Sequence, residues 1–146
     1  LSQNRRLSGP PYVIDHELVD YVVSFAHGIQ AQPLRVEVPP DPTRQLVLKR
    51  LGEALQFPDY FGANWDAWSD CLGDLIAVGQ GGRIVILERS ERLLAAPPVL
   101  FAEFICRLQE SQDLVMRAAG DRVLLEFVFA GQWSAREDEP STTTPR

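Results

Sequence analysis

The run RIVILER at residues 83–89 limits the architectures open to this chain more than any other stretch. Ile84, Val85, Ile86 and Leu87 leave neither face of a strand polar. Such a strand needs cover on both sides, which is the situation of a central strand in a parallel sheet. Two further strands are legible: a short one at 34–38 in PLRVEVPP, closed by prolines, and a last one in RVLLEFVFA. Helical spacing fills the intervals. Asp15 as N-cap and Gly28 as stop bound a helix over 15–27, with Ile14, Leu18, Tyr21, Val22 and Phe25 as its apolar face. Asp41-Pro42 reads as N-cap and first turn of a second helix, whose stripe Val47, Leu48, Leu51, Ala54 and Leu55 runs to Gln56 before Pro58 ends it. Ser90 is placed to cap a short helix through Leu94. Pro97-Pro98 opens another, with Phe101, Phe104, Ile105 and Leu108 on one face, and the polar QESQD interrupts its pattern. The order is α-β-α-α-β-α-α-β, and strands separated by helices pair in parallel through crossovers. The expected fold is α/β: a small three-stranded parallel sheet packed with helices, plus an N-terminal helix.

At 146 residues the chain favours one domain, expected over 12–133. Residues 1–11 and 134–146 are polar and rich in Pro, Ser and Thr, and are expected to be poorly ordered. Neither a signal-peptide core at 1–11 nor a membrane-length apolar run is present in the sequence. Cys71 and Cys106 lie among apolar residues and are expected to be buried, reduced thiols, as in a cytoplasmic protein. The net charge of −6 argues against nucleic acid as a direct ligand, which would need a basic footprint. It is compatible with a basic partner, although solubility alone is the plainer account of mild acidity.

One segment concentrates the chemistry: FPDYFGANWDAWSDCLGDL, residues 57–75. Asn64 is placed to cap a helix over 64–76. At about 100° per residue, Trp65, Trp68, Leu72, Leu75 and Ile76 share one side, while Asp66, Ser69, Asp70 and Gly73 share a neighbouring one, extended by Asp74. Asp66 and Asp70 stand at i, i+4, where like charges repel on an isolated helix. Most helices with such a face simply solvate it. The functional alternative is a paired-anion surface offered to something cationic, with Ser69 and Gly73 keeping it low enough for close approach.

The same segment resembles the central signature of the barstar family, intracellular inhibitors of the secreted ribonuclease barnase. The matching positions are Tyr60-Phe61, Gly62, Asn64, Trp65, Asp66, Ala67, Trp68, Asp70, Cys71 and Leu72. The order of elements agrees as well, so the resemblance covers about residues 34–130, leaving the N-terminal helix as an addition. It implies that the helix and the segment before it plug a ribonuclease active site. Asp70 would then stand in for the substrate phosphate, Asp66 would contact basic residues, Tyr60 would pack on the catalytic histidine, and Asn64 would fall in the interface. The family has tryptophans where this chain has Ser69 and Leu75, and an acidic residue from a later helix, for which Glu103 and Glu110 are candidates. The resemblance thus implies a partner other than barnase: a basic ribonuclease or toxin domain, bound 1:1 by a chain that is monomeric when free. The interface expected is Tyr60, Asn64, Asp66, Ser69, Asp70, Gly73 and Asp74.

Two other classes compete. Asp66 and Asp70 as a glycosidase-like acid/base pair would make the chain an enzyme, but they share one helix face, and the sequence implies no cleft and shows no nucleophile pattern nearby. His16, Asp20 and His27 fall on one helix face and could in principle hold a metal; incidental clustering is the simpler account, and no cofactor or metal is expected. The remaining alternative is an interaction module of barstar fold with a non-nuclease partner, since a fold specifies a partner less well than it specifies itself.

Overall fold

The computed structural model describes residues 11–59, 61–79, 81–95 and 98–133. It is built from β1 (Tyr12–Asp15), a 3-10 turn (His16–Leu18), α1 (Val19–Gly28), β2 (Ala31–Glu37), α2 (Arg44–Ala54), α3 (Trp65–Val78), β3 (Gly81–Glu88), α4 (Arg92–Ala95), α5 (Pro98–Ala119) and β4 (Val123–Gly131). The strands form one four-stranded sheet in the order β1-β4-β3-β2, every pair parallel.

The sheet has four strands, not the three expected. Local pattern places Ile14 and Asp15 at the start of the N-terminal helix, but Tyr12–Asp15 pair with Val128–Gly131 as an edge strand. A four-residue edge strand is short, and its pairing depends on a distant segment, so nothing local announces it. Asp15 consequently makes no side-chain cap, and the α-helix starts at Val19. Its buried face also differs from expectation. Val19 and Ala26 are buried with Val22 and Val23 packed beside them, whereas Leu18, Tyr21 and Phe25 are 43%, 75% and 37% exposed. Two helical stripes one residue apart both satisfy the apolar spacing. The sheet face beneath, made by Ala31, Ile84, Ile86, Val128 and Ala130, takes the slimmer one.

Alpha-helix α1 covers one face of the sheet, and the larger core covers the other. There Val85, Leu87, Leu125, Phe127 and Phe129 meet Leu48, Leu51, Trp68, Leu72, Leu93, Phe104 and Leu108 from the helices. The four apolar residues of β3 are each 0% exposed, as a strand without a polar face requires.

A side-chain cap opens α2 but not α4. Thr43, rather than Asp41, caps α2, its hydroxyl accepting from the Leu46 amide at 3.1 Å. The buried Ser90 hydroxyl does not cap α4; it donates to the Leu87 carbonyl at 2.7 Å. QESQD does not interrupt α5, which continues to Ala119. Ser111 and Gln112 are buried because partners await them. The Ser111 hydroxyl accepts from the Trp68 indole at 2.8 Å and donates to the Arg107 carbonyl at 2.9 Å. The Gln112 side-chain oxygen accepts from the Phe127 amide at 2.8 Å. Cys71 is buried as expected, but Cys106 is exposed, lying on the solvent side of α5. No helix among the described residues is long and apolar enough to cross a membrane.

Trp68 is 2% exposed and touches the rings of Phe57, Phe61, Trp65 and Phe127. Trp68→Ala is expected to cost ~3–5 kcal/mol of folding stability, read from urea unfolding. A loss below about 1 kcal/mol, the scale of a tolerant surface site, would show that the indole does not carry this core.

Candidate functional site

The approach to α3 is shaped before the helix begins. One edge of the Phe61 ring abuts the backbone of α2: a Cβ placed on Gly52 would sit 2.6 Å from it. Phe57 meets Phe61 edge-on at 5.4 Å. Ala63 takes a left-handed φ of 55°, which reverses the chain, and the Asn64 side-chain oxygen then accepts from the Ala67 amide at 2.8 Å. The cap satisfies one of the free donors of the first turn and sets the direction of the helix.

The core side of α3 is anchored by its tryptophans. Trp68 is bonded to Ser111, and the Trp65 indole donates to a Glu103 oxygen at 2.6 Å. Glu103 also accepts both arms of the Arg44 guanidinium, at 2.5 and 2.9 Å. That pairing, ahead of the Trp65 bond, holds the Glu103 carboxyl below the ordinary glutamate range. Glu103 therefore belongs to the anchorage of α3 and is not a free acid at its surface.

On the outer side, Asn64, Asp66, Ser69, Asp70, Gly73 and Asp74 are all exposed, so the helix brings six of the expected interface residues onto one surface. Tyr60, the seventh, lies outside the described residues. Among the described residues no Lys or Arg forms an ion pair with Asp66 or Asp70. Asp66 sits in the first turn, where the helix dipole favours an anion. The local field is negative enough to act on the interior: burial first, then the charges of Asp74 and Asp70, push the Cys71 thiol up from its ordinary value.

Glu110, the other candidate from the later helix, lines a groove of about 310 Å³ between α3 and α5. Trp65, Trp68, Ser69 and Leu72 form one wall and floor; Arg107, Glu110, Ser111, Leu114 and Arg117 form the other. The Arg107 guanidinium lies over the Trp65 ring, 5.5 Å from its centroid. Neither arginine is among the expected interface residues: the extent of the helix beyond QESQD, where Arg117 lies, is open in the sequence, and nothing local to Arg107 marks the flank of α3 it faces. The regular spacing of Arg107, Glu110, Leu114 and Arg117 was the signal that could have placed them on one face. Among the described residues, no His, Cys, Asp and Glu side chains cluster to hold a metal ion, His16, Asp20 and His27 included.

The fold and this surface define a parallel α/β protein that displays the edge of an acidic, tryptophan-anchored helix. The chain belongs to the barstar family: the family described as barstar (barnase inhibitor) matches residues 33–129. That span starts within β2 and ends within β4, so β1 and α1 precede it. The family is one of ribonuclease inhibitors, and membership points to binding and inhibition and not to catalysis. A search of curated proteins finds no significant match to the chain.

The anchorage has a pH signature. A carboxyl whose folded pKa is depressed contributes stability above its unfolded pKa and loses it as pH falls through the folded value. Glu103→Gln is therefore expected to melt below the parent at neutral pH, with the gap closing as pH drops below the ordinary glutamate range. Equal melting temperatures at pH 7 would show that the Arg44–Glu103 pair does not hold α3.

Proposed function

We propose that the chain inhibits a basic ribonuclease or ribonuclease-like toxin domain by laying the acidic edge of α3 across its active site in a 1:1 complex. One observation carries the reading: Asp66 and Asp70 stand exposed, with no ion pair among the described residues, on a helix fixed from behind by Trp65 and Trp68. A site built to bind RNA phosphates is lined with cations, and fixed carboxylates are a natural block for it. In this reading Asp70 takes the place of a phosphate and Asp66 pairs with a neighbouring cation. Asn64, Ser69, Gly73 and Asp74 complete the contact, and Tyr60 packs on the enzyme's catalytic base. Ser69 and Gly73 keep this strip low for close approach, and no packing within the described residues requires the glycine, since a Cβ there would meet nothing within 4 Å. The protein is expected to work in the cytoplasm, as an immunity protein or antitoxin for the cell that makes the nuclease.

The test is RNA cleavage by barnase and a panel of related basic ribonucleases, titrated with the parent and with Asp70→Ala. Removing the carboxylate strands cations in a desolvated site, a loss of ~2–5 kcal/mol for buried interfacial charge pairs, barnase–barstar among those measured. Folding is expected to be unharmed, because Asp70 is exposed and its repulsion with Asp66 is relieved. Asp70→Ala with parent-like melting and parent-like inhibition would remove Asp70 from the mechanism. A parent that inhibits none of these enzymes would favour an interaction module with a non-nuclease partner.

Electrostatic steering makes a separate prediction. Association with the inhibited enzyme is expected to slow as ionic strength rises, as stopped-flow fluorescence can read. Rates independent of salt would count against an acidic surface guiding the encounter.

A further inference from the structure

The acidic edge of α3 adjoins a surface of opposite sign. Ser69 stands at the boundary: at about 100° per residue, Asp66, Asp70 and Asp74 lie to one side of it, and Trp65, Trp68 and Leu72 to the other. Ser69 itself lines the groove between α3 and α5. Its small side chain raises no wall, so a partner seated on Asp66 and Asp70 continues over the groove.

The far wall of that groove is cationic. Arg107 and Arg117 are exposed, and among the described residues neither is ion-paired. Glu110 stands between them in sequence and offsets one of the two charges, leaving the wall with one net positive charge. Arg107 is held over the Trp65 ring and adds its charge to the field that holds the Glu103 carboxyl low, yet makes no ion pair with it among the described residues. The floor offers apolar contact through Trp68 and Leu72, and Leu114 on the far wall is 39% exposed. A partner that is basic throughout meets repulsion here. A partner carrying an acidic side chain beside its cationic site meets a complementary groove.

We infer that Arg107 and Arg117 determine partner choice: the groove receives a carboxylate that the cognate ribonuclease carries beside its phosphate-binding site. The pair thereby selects against ribonucleases that are uniformly basic at that place. The inference rests on the proposed docking of α3, and the experiment separates the two.

Barnase serves as a probe of the basic class. Its dissociation from the parent, from Arg107→Glu/Arg117→Glu and from Asp70→Ala is followed by surface plasmon resonance, with inhibition of RNA cleavage measured in parallel and melting checked for each variant. Dissociation is the readout because remote charge changes act mainly on association. Reversal of both arginines is expected to slow dissociation at least tenfold, and Asp70→Ala to speed it. Unchanged or faster dissociation of the double variant, with Asp70→Ala still weakening binding, overturns the groove assignment alone. Binding that ignores Asp70, or no binding by any form at micromolar concentration, overturns the docking of α3 on this enzyme and the groove assignment with it.

Discussion

Burial of the Trp68 indole is the constraint on which the rest of the molecule depends. The ring fills the space between α3, the Phe57–Phe61 approach and the sheet at Phe127. Its N–H cannot be left unpaired at 2% exposure, and Ser111 supplies the acceptor. That bond joins α3 to α5, and the next residue, Gln112, joins α5 to the β4 backbone at Phe127. Two polar residues in the middle of an amphipathic helix thus tie both helices to the sheet. A core that closes through directed bonds has one geometry, so the outer side of α3 points in one direction.

The outer side benefits from that rigidity. Asp66 and Asp70 repel, and neither helps the helix beyond the dipole effect on Asp66. Their cost is carried by the aromatic cluster behind them and by the Arg44–Glu103–Trp65 network beside them. In the proposed docking, carboxylates fixed in this way lose little entropy on binding. The surface is also asymmetric: anions on one flank of α3, two arginines across the groove on the other. A bipolar surface discriminates among basic partners more sharply than a uniformly acidic one.

The N-terminal segment is where local pattern and tertiary structure part. Leu18, Tyr21 and Phe25 have the spacing of a core stripe, yet Val19 and Ala26 go inside. Nothing in the segment distinguishes the two, because both stripes obey the same helical period. The sheet decides: Ala31 and Ala130 offer a flat surface on which small side chains bring α1 close. The same sheet recruits Tyr12–Asp15 as a strand, since Val128–Gly131 would otherwise present an open edge. Glu103 shows the same limit at the site. Its distance in sequence from Arg44 and Trp65 hides the network that removes it from the list of free acids.

What the sequence determined by itself is the part governed by short-range rules. The parallel α/β class, the central place of β3, the Asn64 cap and the two-sided character of α3 all follow from periodicity, capping and apolar runs within a few residues. The barstar signature is equally local, and it carried the choice of α3 as the site. Tertiary structure decided the fourth strand, the phase of α1, the continuity of α5 through QESQD and the cationic wall of the groove. Each of these depends on a partner far along the chain: a sheet edge, a flat patch of alanines, the indole of Trp68, the opposing flank of α3. The free energy of such contacts is set by what comes to lie opposite, and that is defined only once the chain has closed.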